Sequence, residues 1–97
     1  MAIKVIVEFQ AKPGKKAELK SLIESIVADQ GPGQSGFLGS VRYEVLDNPD
    51  MLVEIADWES AEARVAHMQE AATSGVYAPL SEMLATPFRA TVIRQLP

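Results

Sequence analysis

One histidine and one tryptophan stand out in this chain of 97 residues, because there is no second copy of either. His67 follows Trp58 by nine residues in the run Asp57-Trp58-Glu59-Ser60-Ala61-Glu62-Ala63-Arg64-Val65-Ala66-His67. Histidine is the side chain whose unperturbed charge changes near neutrality, so His67 is a candidate proton carrier. The indole of Trp58 offers either apolar mass to a core or contact surface, or a flat wall to a planar ligand. Glu54, four residues before Trp58, is a second candidate base if burial raises its pKa. Tyr43 and Tyr77 carry hydroxyls that either enter a pocket or cap the core. Phe37 is a further flat apolar surface.

Other chemistries lack their residues. Without cysteine there is no disulfide, thiolate nucleophile or cysteine-held metal site. One histidine among scattered carboxylates makes a poor transition-metal site, so no metal or other cofactor is expected. Gly31-Pro32-Gly33 follows a helical pattern instead of opening one, unlike a phosphate-binding loop. Thirteen acidic against nine basic residues give a net charge of −4, which argues against a nucleic-acid partner. The N-terminal alternation carries Lys4 and Glu8, so it reads as neither an export signal nor a membrane span, and a cytoplasmic location is expected.

The elements that must position these residues follow from periodicity. Ala2 to Lys12 alternates as a strand with Ile3, Val5, Val7 and Phe9 on one side, and Pro13-Gly14 breaks it. Leu19, Leu22, Ile23, Ile26 and Val27 set the apolar stripe of a helix over 15–29. A strand over 37–46 places Phe37, Val41, Tyr43 and Val45 together, and Asp47-Asn48-Pro49-Asp50 turns the chain into a third strand over 51–58. Ser60 caps a second helix with Ala61, Val65, Met68 and Ala72 as its inner stripe, which leaves His67 off that stripe. After Thr73-Ser74-Gly75 comes a short helix containing Tyr77, Leu80 and Leu84, then a last strand over 88–96.

At this length about 65% of the unfolded surface can be buried, and 47% hydrophobic residues suffice for one modest core, so 1–97 reads as a single domain. The order β-α-β-β-α-(α)-β is the ferredoxin-like split arrangement, an α+β fold with a four-stranded antiparallel sheet. Ile6, Leu38, Leu46, Leu52, Ala56, Trp58 and Ile93 fall on the less apolar sides of their strands. Strands apolar on both sides call for a second cover, and a second copy of the chain is expected over the open face.

Three stretches are similar to a known family. These are Val7-Glu8-Phe9-Gln10-Ala11-Lys12-Pro13-Gly14, Gly36-Phe37-Leu38 at the start of the second strand, and Trp58-Glu59-Ser60-x-Glu62-Ala63-x-x-x-His67. Over nearly its whole length the chain resembles the antibiotic biosynthesis monooxygenase domain family of dimeric α+β barrels. The resemblance implies a homodimer and a cavity between sheet and helices. Family activities include cofactor-free oxidation of phenols or anthrones to quinones by O2, haem degradation and isomerisation of small metabolites.

By position, Trp58 matches a cavity-lining tryptophan of the quinone-forming members. Glu54 stands where those members can have an asparagine, Arg64 where they have a substrate-facing tyrosine, and Tyr43 where they have a histidine. Val7 replaces the strand-one asparagine that haem degradation requires. The resulting expectation is a cofactor-independent monooxygenase acting on a phenolic or quinol-type molecule. His67 or Glu54 would be the base, with Trp58, Tyr43, Phe37, Arg64 and Tyr77 around the substrate. An isomerase or tautomerase, or a dimer that only binds its ligand, are the alternatives.

Overall fold

The computed structural model describes residues 2–30 and 33–97, so Gly31 and Pro32 of the glycine-rich helix exit lie outside the described residues. Strand β1 spans Ile3–Gln10, helix α1 Lys16–Gln30, β2 Phe37–Val45, β3 Asn48–Trp58, α2 Ala61–Ser74 and β4 Arg89–Ile93. A one-turn 3-10 helix, Ala78–Glu82, separates α2 from β4, with Pro79 at its start, where the missing N–H costs nothing. The sheet order is β2-β3-β1-β4, antiparallel throughout. This is the ferredoxin-like α+β fold. Among the described residues no helix is long and apolar enough to cross a membrane.

Both helices cover one sheet face. Alternation on β1 turns Ile3, Val5 and Phe9 inward, and the stripe on α1 brings Leu19 and Ile23 onto Phe9. The buried residues form two clusters. Phe9, Ala11, Leu19, Ile23, Leu52, Leu80 and Leu84 pack at one end, and Ile3, Val5, Ala56 and Trp58 at the other. Val7 packs against both.

Several expected details change. The turn before β3 is only Leu46-Asp47, because Asn48 already pairs with Val45. The set Leu52, Ala56 and Trp58 faces the helices and is buried, contrary to the expectation that it marks the open face. Its register explains this: Leu52, Ala56 and Trp58 lie opposite the inward residues Phe9, Val5 and Ile3 of β1. The open face carries Ile6 and Ile93, as expected, and with them Val41, Tyr43, Val53 and Ile55. Glu8 and Glu54 lie opposite Val53 and Val7 respectively and point to different faces.

The second helix is rotated from its expected phase. His67 and Ala71 are its buried residues, whereas Val65 is half exposed and Ala61 and Ala72 are exposed. At 6% exposure His67 is neither a surface nor a boundary residue.

Candidate functional site

Two local devices bring the strand end and the second helix together. Ser60 caps α2, its Oγ accepting from the Ala63 N–H at 3.1 Å, and the Glu59 N–H donates to the Gly36 carbonyl at 2.8 Å. Gly36 sits at φ +82°, and a Cβ there would lie 2.5 Å from the Ala63 Cβ. Only glycine allows that approach, which fixes the rotation of α2 and turns His67 inward. At the other end Gly75, left-handed at φ 71°, donates to the Ala71 carbonyl and reverses the chain. Tyr77 thereby comes back beneath the helix it follows.

The result is a row of rings. Phe37 and Trp58 stand edge to face with centroids 5.2 Å apart, and Trp58 and His67 are also 5.2 Å apart, tilted by 36°. His67 Nε2 and Tyr77 Oη form a hydrogen bond of 2.6 Å, in which the tautomer decides the donor. The other ring nitrogen, Nδ1, is buried without a partner.

Glu54 enters from β3 between the two core clusters. Its side chain is 14% exposed, and Oε2 is buried with no hydrogen bond. Arg42, its cross-strand neighbour on β2, places Nη1 3.7 Å from that oxygen.

These groups line a cavity of about 100 Å³ with mainly apolar walls, including Val7, Phe9 and Ile23. Six of the seven residues expected to act lie on it: Glu54, His67, Trp58, Phe37, Arg64 and Tyr77. Tyr43 does not. It pairs with Val53 on the sheet face away from the helices and is 50% exposed. Phe37 reaches the cavity because β2 is irregular between Phe37 and Gly39, which moves it off the face of Val41 and Tyr43. Gln34 and Met68 also line the wall and were not expected there. Gln34 leaves no signal in the sequence, and Met68 was legible only as general core.

Burial shifts the titrating groups toward their neutral forms. It pushes Glu54 above the ordinary carboxylate value, against the nearby Arg42 charge. It lowers His67, an effect opposed by Glu70 and reinforced by Arg64. Tyr77 is raised, first by burial and then by the neighbouring Glu54 charge, while Arg64 acts the other way. An imidazole held neutral beside a phenol can accept a proton, and a protonated carboxyl can donate one. Among the described residues no group of three or more histidine, aspartate or glutamate side chains is arranged to hold a metal ion.

Comparison with known proteins places this geometry in a family. A model described as antibiotic biosynthesis monooxygenase matches residues 2–75. No curated protein sequence matches. Among solved structures, a conserved protein from Methanosarcina mazei Go1 is 24% identical, with a TM-score of 0.85 over 99% of this chain and 94% of that one. Rv0793 from Mycobacterium tuberculosis is 23% identical, with a TM-score of 0.82 over 100% and 97%. SnoaB, a cofactor-independent oxygenase from Streptomyces nogalater, is 17% identical, with a TM-score of 0.82 over 97% and 92%. At these identities the structural likeness establishes the shared fold. With the family model spanning residues 2–75, the chain belongs to the antibiotic biosynthesis monooxygenase family.

Proposed function

We propose that the protein is a cofactor-independent oxygenase that oxidises a small phenolic or quinol-type molecule with O2. The observation that carries this reading is the His67–Tyr77 hydrogen bond, buried in an apolar cavity between the Trp58 ring and the Glu54 carboxyl. A phenol lying against Trp58 and Phe37 would find neither ring nitrogen of His67 free to accept its proton. One ring nitrogen of His67 is already bonded to Tyr77 and the other is sealed. The proton therefore reaches His67 through Tyr77, and Arg64 on the cavity wall favours the phenolate that remains.

That phenolate is the electron source. One electron passes to O2, the resulting radical pair forms a C–O bond, and loss of water leaves a quinone. For a phenol with a free para hydrogen the substrate gives up four electrons in all. One oxygen atom of O2 ends in the quinone and the other in water, so no external reductant is consumed. An apolar site suits this sequence because it limits the water around the intermediates.

The sheltered part of the cavity is small. At about 100 Å³ it is smaller than the roughly 150 Å³ cavity that benzene fills in an engineered core. The same size keeps a second reading in play, an isomerase that enolises a small carbonyl compound with the same base. Turnover under 18O2 decides between them. One labelled oxygen in a quinone product supports the oxygenase, and product formation without O2 supports the isomerase. Saturable binding with no product supports a dimer that only sequesters its ligand.

The proposed working unit is a homodimer. Ile6, Val53 and Ile55 form a half-buried apolar band across the open face, with Val41 and Tyr43 exposed beside it. A second copy would cover this band, and there Tyr43 would be a contact residue.

A further inference from the structure

The cavity carboxyl is tied to a side chain outside the cavity. On edge strand β2, Arg42 donates from Nη1 to Ser40 Oγ at 3.0 Å, two residues away on the same side of the strand. The same Nη1 lies 3.7 Å from Glu54 Oε2 on the neighbouring strand. That separation is a charge contact without a hydrogen bond, and Oε2 has no other partner. An arginine pinned by a hydroxyl just short of bonding a buried carboxylate is an arrangement the proposed reaction does not itself use.

We propose that Arg42, held by Ser40, is a positioning residue for Glu54: it fixes Oε2 against the sheet edge, leaves Oε1 for the cavity, and governs how readily the carboxyl ionises. The inference rests on the proposed site only in taking Glu54 as a group on its wall, and its test reads the carboxyl itself. Failure of the oxygenase reading would leave it intact.

The surroundings leave Arg42 as the nearest charge able to act this way. The β1 neighbour of Glu54 is Val7, and α1 presents Ile23, Ile26 and Val27 to the cavity. From α2 come Arg64 and His67, and from the turn after it Tyr77. None of these three makes a hydrogen bond or ion pair with Glu54. Glu44, two residues beyond Arg42 on β2, would compete for the guanidinium, but Lys16 of α1 holds it at 3.2 Å. Arg42 is half-buried, with its side chain 27% exposed, so its charge is only partly screened by water. Two opposed influences thus meet on Glu54. Burial disfavours the charged carboxylate, and the pinned guanidinium favours it.

The test is a carboxyl-carbon NMR titration of the full chain, with the Glu54 resonance assigned from Glu54→Gln. Arg42→Met should move the Glu54 midpoint to higher pH, because desolvation then acts unopposed. Arg42→Lys should restore part of the shift, since the charge returns without the fork that reaches both Ser40 and Glu54. Ser40→Ala keeps the charge and frees the guanidinium, so it should give a smaller shift in the same direction. Glu44→Gln, exposed on the same strand, should leave the midpoint unchanged. If Arg42→Met fails to fold, Ser40→Ala decides. A Glu54 midpoint unchanged in Ser40→Ala and in any folded Arg42→Met protein overturns the proposal.

Discussion

Replacing Tyr77 by phenylalanine removes one oxygen atom and tests the centre of the site. The ring stays and continues to pack against the core cluster around Phe9, Leu80 and Leu84, so no new cavity opens. What changes is the 2.6 Å bond to His67 Nε2. Because Nδ1 already lacks a partner, His67 would then be buried with both ring nitrogens unpaired. Leaving a buried polar group unsatisfied costs about 1–3 kcal/mol. In a domain of this size each kcal/mol lowers the melting temperature by roughly 4–8 °C. Tyr77→Phe should therefore melt roughly 4–24 °C below the wild type. Adding His67→Leu to Tyr77→Phe removes the orphaned ring and should cost less than His67→Leu does alone. Urea unfolding of the four proteins gives the coupling. A Tyr77→Phe protein within about 0.5 kcal/mol of wild type, or strict additivity, would refute the reasoning.

Three further perturbations probe the frame and the charges around that bond. Gly36→Ala places a methyl 2.5 Å from the Ala63 Cβ at a left-handed φ, so overpacking and backbone strain together should cost about 2–5 kcal/mol in thermal unfolding; an unchanged melting temperature would contradict the close approach. Stability should also depend on pH through two groups of opposite sign. Glu54 has a raised pKa, so its contribution is present below the ordinary glutamate value and is lost as pH rises through the raised one; Glu54→Gln should gain on wild type over that rise. His67 has a lowered pKa, so its contribution is present above about 6.5 and is lost as pH falls through the lowered value; His67→Leu should gain on wild type in acid, and parallel urea midpoints across pH would contradict both. Ile55→Lys puts a charge in the middle of the open sheet face and should convert the proposed dimer to monomer in light scattering, whereas a monomeric wild type would remove the dimer from the account.

Much of the frame is written in short-range signals. Alternation marks β1, the five-residue stripe marks α1, and Ser60 and Gly75 mark both ends of α2 where the structure caps it. The phase of α2 is less legible. Its small apolar residues permit more than one inner stripe, and the one realised is selected by contacts distant in sequence. Gly36 seats against Ala63 at one end, and Tyr77 reaches His67 near the other. The inner side of β3 is ambiguous for a similar reason. Met51, Val53 and Ile55 are as apolar as Leu52, Ala56 and Trp58, and only the register with β1 decides which set meets the helices. Tyr43 and Phe37 lie on opposite faces because the irregularity between Phe37 and Gly39 breaks the strand's alternation, an event that glycine permits at φ 132° but does not announce. Glu54 was recognisable as a candidate base, yet its tie to Arg42 through Ser40 depends on the cross-strand register and could not be read from spacing.

The most direct test of the central claim is O2 uptake by chelator-treated protein supplied with one-ring phenols and hydroquinones, beside anthrones as larger competitors. Wild type should consume O2 with the one-ring compounds, insensitive to chelator, and both Tyr77→Phe and His67→Ala should lose that uptake. No enzyme-dependent uptake with any compound, or uptake undiminished in both variants, would contradict an oxygenase built on the Tyr77–His67 pair.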